Sequence, residues 1–393
     1  MKNKKKILLV GMGSEIGSYL LSINHSKSNN IEINHVLTNK IYGNDISQNL
    51  KSLQARIIIN DPSFLNLINI DIKNSALIIN KKKIKIFWGD IKKFNLKEIK
   101  HRFDATIVAT SKKHISDKKI MSRFLKNSKY VFGVAESKKM PSLYPNLIGL
   151  KSSIITGKSH SLKNSKNRVF ALGSCQSNGW QAQLRAVLEF FNNKNIKNFK
   201  MLGTELDIIH PDTPQGRLGT KSYKPREQDA RNNLRPGFSQ ANISMKKLFP
   251  NIHNLNTISL RTLVTPPGYQ ICRFYFHYQL KNKKRLYVDD LIESFKLTSR
   301  KYPNILSVTE NSLGSRAYEK TESSAVTLID KQYIHFNNNL FLNTNSNNKE
   351  SQICEIITQS FVHNTKGYCR SVLNTLQQVL NTKKNLKKIN YWI

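Results

Sequence analysis

The sequence predicts an α/β protein that begins with a doubly wound parallel sheet and continues with an α+β half built on an antiparallel sheet. In the first half, short apolar runs typical of buried strands alternate with segments typical of helices. Beyond residue 200, strand-like runs alternate apolar and polar residues. The 393 residues suffice for two domains with separate cores. We place the first at residues 1–174, with segment 361–393 packing back on it, and the second at residues 175–360.

Composition limits the classes of protein to which the chain can belong. It contains no run of 18 or more apolar residues, so we expect no membrane span. The basic residues 1–6 lead into a strand and a glycine turn, which is not the pattern of a secretory signal. The four cysteines are scattered without C-x-x-C spacing, which favours neither a metal site nor a disulfide framework. A reduced, cytoplasmic protein is the simplest expectation.

The charge balance is strongly basic, with 63 Lys and Arg against 25 Asp and Glu, a net charge of +38. Such an excess is the electrostatic footprint of nucleic-acid-binding proteins. Here, however, lysines are dispersed along the chain and form no Arg/aromatic cluster that could stack on bases. We therefore favour dispersed composition over a nucleic-acid surface, and expect phosphorylated ligands to benefit from the positive field.

The first strand, residues 5–10, runs into a glycine-rich turn of sequence Gly11-Met12-Gly13-Ser14-Glu15-Ile16-Gly17. Glycines at such a turn allow close approach of the backbone to a pyrophosphate, and the helix that follows supplies N–H donors. The position between strand and helix predicts a Rossmann-like dinucleotide-binding domain, although the spacing G-x-G-x-x-x-G is one residue longer than the usual fingerprint. The predicted cofactor contacts are Gly11, Gly13, Ser14, Glu15 and Ile16.

The end of the second strand, residues 31–37, bears on cofactor choice. A site selective for NAD has a carboxylate here that accepts hydrogen bonds from the ribose hydroxyls. This chain has Thr38, Asn39 and Lys40 instead, which can hydrogen-bond and neutralise a 2′-phosphate. We therefore predict NADP through Asn39 and Lys40, with NAD left open. The alternative is that Lys40 is one more solvated lysine.

Two further buried strands, residues 104–109 and 129–135, end in polar residues. Ligands of doubly wound sheets lie at the carboxyl ends of the strands, so Thr110, Ser111 and Ser137 are candidate cofactor contacts or, equally, ordinary turn residues. Residues 76–87 alternate apolar and polar side chains around Asn80, which predicts a hairpin.

A cysteine follows the next strand directly. Residues 169–172 are apolar, Gly173 breaks the run, and Ser174-Cys175-Gln176-Ser177-Asn178 leads into an amphipathic helix that continues to residue 191. Backbone N–H groups and the dipole of a helix N-terminus favour thiolate over thiol. Cys175 is therefore a candidate nucleophile; the alternative is an inert core cysteine.

The second half contains strand-like runs and two helices around a long polar loop. A strand over residues 201–209 ends at His210, and the polar loop covers residues 214–236, a length usually associated with function. The remaining predicted strands are 258–265, 269–280, two within 325–342, and 353–360. The predicted helices are 288–300 and 367–380.

These landmarks together resemble the glyceraldehyde-3-phosphate dehydrogenase family over nearly the whole chain. Ser-Cys-x-x-Asn at residues 174–178 is similar to the family's catalytic S-C-T-T-N segment. A histidine at a strand end, with threonine three residues later, matches His210 and Thr213. The other matches are Arg226 ten residues before Pro236, Arg261 in the run LRTLVTP, and Asn364 in the tail Asn-Thr-Lys-Gly-Tyr.

The resemblance implies oxidation of a phosphorylated aldehyde through a thioester on Cys175, with His210 as the base. It also implies a homotetramer, with Asn364 binding the nicotinamide amide. The residues that it implies for substrate or phosphate binding are Ser174, Thr213, Arg226, Ser239 and Arg261. Gln176 replaces a threonine and Gln240 a glycine of the family's inorganic-phosphate site, so phosphate, water or another nucleophile could release the acyl group.

Other functions remain open from the sequence. The same chemistry would serve erythrose-4-phosphate or a semialdehyde, or reduction with NADPH in the reverse direction. A different class is a degenerate dehydrogenase that binds RNA or another polyanion through its basic surface.

Overall fold

The structure is a computed structural model, and it describes residues 4–26, 30–150, 154–196, 198–211, 234–262, 264, 266–280, 285–338, 345–346, 349–381, 386 and 389–393. The strands are β1 (Lys5–Val10), β2 (Ile31–Thr38), β3 (Ile68–Asp71), β4 (Ala76–Ile79), β5 (Lys82–Trp88), β6 (Phe103–Val108), β7 (Ser128–Gly133), β8 (Ser159–Ser161), β9 (Val169–Ala171), β10 (Phe199–Pro211), β11 (Arg235–Pro236), β12 (Leu255–Thr262), β13 (Gly268–Leu280), β14 (Leu306–Thr309), β15 (Ala325–Leu328), β16 (His335–Asn338), β17 (Asn345–Ser346), β18 (Lys349–Val362) and β19 (Asn390–Trp392). The helices are α1 (Glu15–Ser26), α2 (Ile46–Asn60), α3 (Lys112–Ile115), α4 (Lys118–Arg123), α5 (Cys175–Asn193), α6 (Ala241–Leu248), α7 (Val288–Lys301) and α8 (Lys366–Asn381).

The protein is a mixed α/β structure with a large, mainly parallel first sheet. Its eight strands lie in the order β3-β4-β5-β2-β1-β6-β7-β9. Along this spatial order, each neighbouring pair from β5 onwards is parallel. The antiparallel pairs are those that β4 makes with β3 and β5. The β4–β5 turn holds Asn80 and Lys81 at positive φ, so the hairpin predicted for residues 76–87 is confirmed.

The second sheet is mixed, so the prediction of an antiparallel sheet is wrong in part. Its order is β11-β12-β10-β13-β18-β15-β14, with β16 and β17 also paired to β18. The long strands β10, β13 and β18 are antiparallel neighbours, but β10 pairs with β12 in parallel, as β14 does with β15. The chain between β10 and β12 includes α6, and a helical crossover returns the next strand in the same direction.

Helix α5 joins the two sheets. It starts four residues after β9 of the first sheet, and every residue from Gln176 to Leu188 is buried. Trp180 packs against Phe249 and Phe274, and its indole N–H donates to Thr204 Oγ1 of β10 at 3.1 Å. The apolar side of α5 therefore belongs to the core over the second sheet. The domain boundary at residue 174 stays a prediction.

Helix α8 packs on the first sheet through α1. The thiol of Cys369 lies 3.6 Å from the carbonyl of Ile16, and Tyr368, Val372 and Leu373 join the core on that face of the sheet. The tail therefore returns to the glycine-rich turn. Among the helices in the described part of the chain, none has the length and apolar character needed to cross a bilayer.

A buried ion pair ties the segment after β7 to α6. Glu136 and Lys247 are 111 residues apart, and Lys247 Nζ lies 3.4 Å from Glu136 Oε1. The ammonium donates to the carbonyls of Ser137 and Met140, both at 2.6 Å, and to Ser142 Oγ at 2.7 Å. Burial lowers the pKa of Lys247, and the charge of Glu136 opposes this effect. The two charges compensate each other in the interior.

Removing one member of this pair should be more costly than removing both. Lys247→Met leaves a buried carboxylate without its cation, and we expect a loss of about 3–5 kcal/mol in the free energy of unfolding. The double variant Glu136→Gln/Lys247→Met should lose less than Lys247→Met alone. Urea unfolding measures both. Lys296→Met, which breaks an ion pair with the exposed Glu310, is the control and should cost less than about 1 kcal/mol. A Lys247→Met variant as stable as this control would contradict the expectation.

Candidate active site

A cleft of about 430 Å³ opens at the carboxyl ends of β1, β2 and β6. This volume is within the range of small-ligand sites. Its lining includes these residues singled out from the sequence: Gly11, Gly13, Ser14, Asn39, Lys40, Thr110 and Ser111. Among the described lining residues there is no carboxylate, whereas Lys40 is present. The cleft is thus suited to a ligand that carries negative charge.

The glycine turn is fixed by close backbone contacts. Gly11 has φ +97°, and a Cβ there would lie 2.6 Å from the carbonyl oxygen of Ala109. A Cβ on Gly17 would lie 2.0 Å from the carbonyl oxygen of Gly11, so a side chain at either position would force the turn open. Ser14 Oγ lies 2.6 Å from the Ala109 carbonyl and accepts from Gly17 N–H at 3.1 Å. Gly17 therefore allows the turn to pack closely against α1, although it lies one residue later than the third glycine of the usual fingerprint.

Helix α2, which the sequence analysis missed, holds the loop that carries Lys40. Asn49 is fully buried, and its Oδ1 accepts from the backbone N–H groups of Ile41 and Tyr42 at 2.7 and 3.2 Å. Lys40 itself is exposed, and its ammonium donates to Asn44 Oδ1 at 3.2 Å. A cation is therefore held at the end of β2, where the cofactor prediction needs one.

The other predicted cofactor contacts lie outside the lining of this cleft. Glu15 and Ile16 begin α1. Ser137 is fully buried, and its backbone N–H and carbonyl bond to Glu136 and Lys247. Asn364 lies between β18 and α8 and is 4% exposed, and its Oδ1 has no hydrogen-bond partner in the described part of the protein. A buried acceptor without a donor fits a ligand that brings its own N–H.

Cys175 and His210 meet at the junction of α5 and β10. Cys175 is the first residue of α5 and is partly exposed, and its Sγ lies 3.9 Å from His210 Nε2 although the two residues are 35 apart in sequence. Ser174 caps the helix by accepting from Ser177 N–H at 3.2 Å. The sulfur therefore lies where the N-terminal turn of the helix and an imidazole converge.

His210 Nδ1 has two contacts, and each suits a different tautomer of the imidazole ring. Nδ1 lies 2.6 Å from the carbonyl of Pro211 and 2.6 Å from Nη1 of Arg261. A protonated Nδ1 donates to the carbonyl, and a bare Nδ1 accepts from the guanidinium, which has no acceptor of its own. The first tautomer leaves Nε2 bare towards Cys175, as a base requires. Arg261 occupies its place because β10 and β12 pair His210 with Arg261 directly.

The predicted substrate-binding residues are only partly within the described structure. Ser174 and Arg261 lie beside Cys175 and His210, respectively. Ser239 is 7% exposed, and its Oγ accepts from Ala241 N–H at 3.1 Å at the start of α6. Thr213 and Arg226 lie outside the described residues.

Several residues near Cys175 were not assigned a role from the sequence. Tyr368 is buried, donates to the Gly173 carbonyl at 2.8 Å, and has its pKa raised far above the ordinary value by burial and then by Cys175. Gln270 donates to the backbone carbonyl and the side-chain oxygen of Gln176, which is itself 3% exposed. The side-chain amide of Gln176 therefore points into the interior, away from the open side of Cys175. A single tyrosine or glutamine within a strand or helix carries no sequence signal for such a role.

No protein-family model matches the chain, and no curated protein matches it.

The segment that carries Asn364 should be sensitive to acid. His363 is 3% exposed, its Nε2 lies 2.7 Å from the Glu319 carbonyl, and burial lowers its pKa from 6.5 to about 4. Between these values the unfolded chain binds the proton and the folded chain does not. The free energy of unfolding should therefore fall by about 1.4 kcal/mol per pH unit below pH 6.5, and by about 3 kcal/mol in total once the pH reaches about 4.

Urea unfolding of the native protein and of His363→Gln at pH 4.5, 5.5 and 7 isolates this contribution. Carboxylates and the other histidines, including the buried His25, are common to both proteins, so the difference between the two curves reports His363 alone. The variant should lose less stability than the native protein between pH 7 and 4.5. Parallel curves would show that His363 does not carry the effect.

Proposed function

We propose that the protein is an NAD(P)-dependent aldehyde dehydrogenase of the glyceraldehyde-3-phosphate dehydrogenase type, acting on a phosphorylated aldehyde through Cys175. The observation that carries the proposal is the 3.9 Å approach of Cys175 Sγ to His210 Nε2 at the N-terminus of a buried helix. A Rossmann-like first half with a catalytic second half is part of the same proposal. The glycine turn, which lines the cleft at the carboxyl ends of β1, β2 and β6, also supports the proposal.

The chemistry follows from the surroundings of the sulfur. The thiol proton of Cys175 passes to His210 Nε2, and the thiolate, stabilised by the first turn of α5, attacks the aldehyde carbon. The same proton then passes from Nε2 to the adduct oxygen, which gives a thiohemiacetal. His210 Nε2 takes the hydroxyl proton of this adduct, and its Nδ1–H donates to Pro211. Backbone N–H groups at the start of α5 stabilise the negative charge on the oxygen, a donor of this kind contributing about 3 kcal/mol. Loss of hydride leaves a thioester on Cys175.

The dinucleotide would lie in the cleft over the glycine turn. Gly11 and Gly13 let the backbone approach a pyrophosphate. The Oδ1 of Asn364, which has no partner among the described residues, fits the N–H₂ of a carboxamide. When bound, the nicotinamide supplies the hydride acceptor. Lys40, with no carboxylate in the described lining, favours NADP over NAD.

The substrate's phosphate would be bound by basic and hydroxyl side chains near the cysteine. Arg261 is 5% exposed and lies against His210, where a guanidinium can donate to an anion. Ser239 supplies a hydroxyl that can donate, and Thr213 and Arg226 are added by resemblance alone. Erythrose-4-phosphate and semialdehydes remain alternative substrates. A tetramer and a cytoplasmic location remain predictions.

The polyanion-binding alternative has less support. It rests on the net charge of +38. It gives no reason for a cysteine and a histidine 35 residues apart to meet at a helix N-terminus.

The reactivity of the four cysteines tests the enzyme proposal. Cys272, Cys354 and Cys369 are fully buried, and burial raises the pKa of each thiol, so only Cys175 should react with iodoacetamide in the folded protein. Peptide mass spectrometry should find a single modified cysteine, and loss of activity should follow its rate. Cys175→Ser should lose dehydrogenase turnover by at least about 10³-fold. His210→Asn should slow the alkylation.

Cys354→Ser, in the core at β18, is the matched control and should keep both the reactivity of Cys175 and the activity. Equal labelling of all four cysteines, or full turnover by Cys175→Ser with every aldehyde and both cofactors, would rule the scheme out.

Cofactor preference should depend on Lys40. A charge-assisted hydrogen bond to a 2′-phosphate contributes about 1.5–3 kcal/mol. Lys40→Glu should therefore lower kcat/KM for NADP by about 10- to 100-fold and leave that for NAD within a few-fold. Steady-state kinetics with each cofactor measures the ratio. Lys320→Glu makes the same charge change at an exposed residue outside the cleft and should leave the ratio unchanged. An unchanged ratio in Lys40→Glu would remove the case for NADP.

A further inference from the structure

A chain of three serine hydroxyls connects the start of α5 to the buried carboxylate of Glu136. Ser174 Oγ lies 2.8 Å from Ser177 Oγ, which lies 2.9 Å from Ser244 Oγ, and Ser244 Oγ bonds to Glu136 Oε2. Ser177, Ser244 and Glu136 are fully buried, whereas Ser174 is partly exposed next to Cys175. The chain therefore begins at the candidate active site and ends in the interior.

The surroundings of Glu136 fix the direction of every hydrogen bond in this chain. Its Oε1 accepts from Ser137 N–H at 2.9 Å and from Ser142 Oγ at 2.7 Å, and Lys247 lies at 3.4 Å, an environment that suits an ionised carboxylate. A carboxylate only accepts, so Ser244 donates to it. Ser244 Oγ is placed to donate to Ser177 Oγ as well as to Glu136, but it has one proton. When that proton goes to the carboxylate, the Ser177–Ser244 contact is completed by the proton of Ser177, and Ser174 donates to Ser177.

This direction determines what Ser174 can offer to a ligand. Its proton is committed inwards and one lone pair accepts from Ser177 N–H, so the lone pair that remains makes it an acceptor towards the site. Inorganic phosphate requires donors, whereas water can donate to such an oxygen. Gln176, one of the two positions altered from the family's phosphate site, has its side chain bonded to Gln270 in the interior. The site is therefore arranged for water.

We propose that water releases the acyl group from Cys175 and that the Ser174–Ser177–Ser244–Glu136 chain accepts its proton. The inference deepens the proposed function and rests on the role given there to Cys175. Ser177, Ser244 and Glu136 act through Ser174 and are positioning residues. The product is a free carboxylic acid, and no acyl phosphate is formed.

The step balances without an added reagent. The oxygen of water bonds to the acyl carbon while one of its protons passes to Ser174, the Ser174 proton to Ser177, the Ser177 proton to Ser244 and the Ser244 proton to Glu136. The carbon–sulfur bond then breaks, and its electron pair returns to Cys175 as the thiolate. The acid ionises in solvent, and reversal of the proton shifts returns the proton on Glu136 to water at the site. Nothing is oxidised or reduced in this step.

Hydrolysis of 4-nitrophenyl acetate tests the step without a cofactor. The ester acylates a thiolate and releases 4-nitrophenolate, so the burst reports acylation of Cys175 and the slower phase reports deacylation. Ser244→Ala should keep a burst of about one nitrophenolate per chain and deacylate about 100-fold more slowly. Ser177→Ala should do the same, and the double variant should be no slower than either single variant, because a chain broken once transfers nothing.

The controls separate the relay from a structural effect. Ser294→Ala removes another buried hydroxyl, which bonds to Ala186 of α5, and should leave both phases unchanged. In D₂O the native protein should deacylate more slowly than in H₂O, and Ser244→Ala should lose part of this isotope effect. Intact-mass spectrometry should show acetyl-Cys175 accumulating in Ser244→Ala.

Two results would overturn the inference. One is a Ser244→Ala variant that deacylates at the rate of the native protein. The other is faster deacylation of the native protein in inorganic phosphate, with formation of acetyl phosphate. Absence of a burst in the native protein would show that Cys175 is not a nucleophile, which would contradict both the proposed function and the relay. A normal burst in a protein that oxidises no aldehyde would refute the proposed function and leave the relay to be judged by the variants.

Discussion

The burial of α5 is the constraint on which the rest of the site depends. Its residues from Gln176 to Leu188 are all buried, and aromatic contacts of Trp180 fix it against the second sheet. A helix enclosed on every side cannot rotate or slide without opening the core, since interiors are close-packed. Its first residue, Cys175, is therefore held in place although it is itself partly exposed. The Cys175–His210 contact is therefore supported by the packing of Trp180, about 7.5 Å further along the helix at a rise of about 1.5 Å per residue.

Hydrogen bonds between buried polar groups also hold α5 in place. Asn146 donates to the Asn178 carbonyl at 2.7 Å, and Arg185 donates to the carbonyls of Asn146 and Ile148. A buried polar group that loses its partner costs about 1–3 kcal/mol, so each of these bonds fixes one arrangement of loop and helix. The serine chain and the Glu136–Lys247 pair extend the same network to α6. Both sheets thus contribute restraints to one helix terminus.

Sequence patterns predicted those parts of the fold that depend on local periodicity. The buried strands, the hairpin at Asn80 and the helix after Cys175 all follow from runs of apolar residues at the spacing of their element. Helix α2 was missed, and its C-terminal run of three isoleucines, residues 57–59, gives a strand-like pattern that hides the helical spacing of Leu50, Leu53 and Ile57.

Features that depend on distant pairing left no such pattern. The parallel pairing of β10 with β12 is set by the crossover between them rather than by either strand. Lys247 is one of 63 basic residues, and its partner Glu136 is 111 positions away, so no local signal distinguishes it from the solvated lysines. The candidate nucleophile was visible because a helix start is local, whereas the relay behind it was not. Site residues that act through others are in general the least readable from one sequence.

The contrast between the whole chain and this site also clarifies the role of charge. Dispersed lysines are screened beyond about 8 Å at physiological ionic strength, so a net charge of +38 determines little at a buried cysteine. The local groups decide instead: Lys40 at one end of the cleft, Arg261 against His210, and Glu136 at the inner end of the serine chain. The two cations favour anionic ligands, and the buried carboxylate of Glu136 orients hydroxyls so that Ser174 accepts. Under the proposed function, such a site would bind the cofactor's 2′-phosphate through Lys40 and the substrate's phosphate through Arg261, and would direct water to the acyl group through Glu136, which are separate tasks for separate charges.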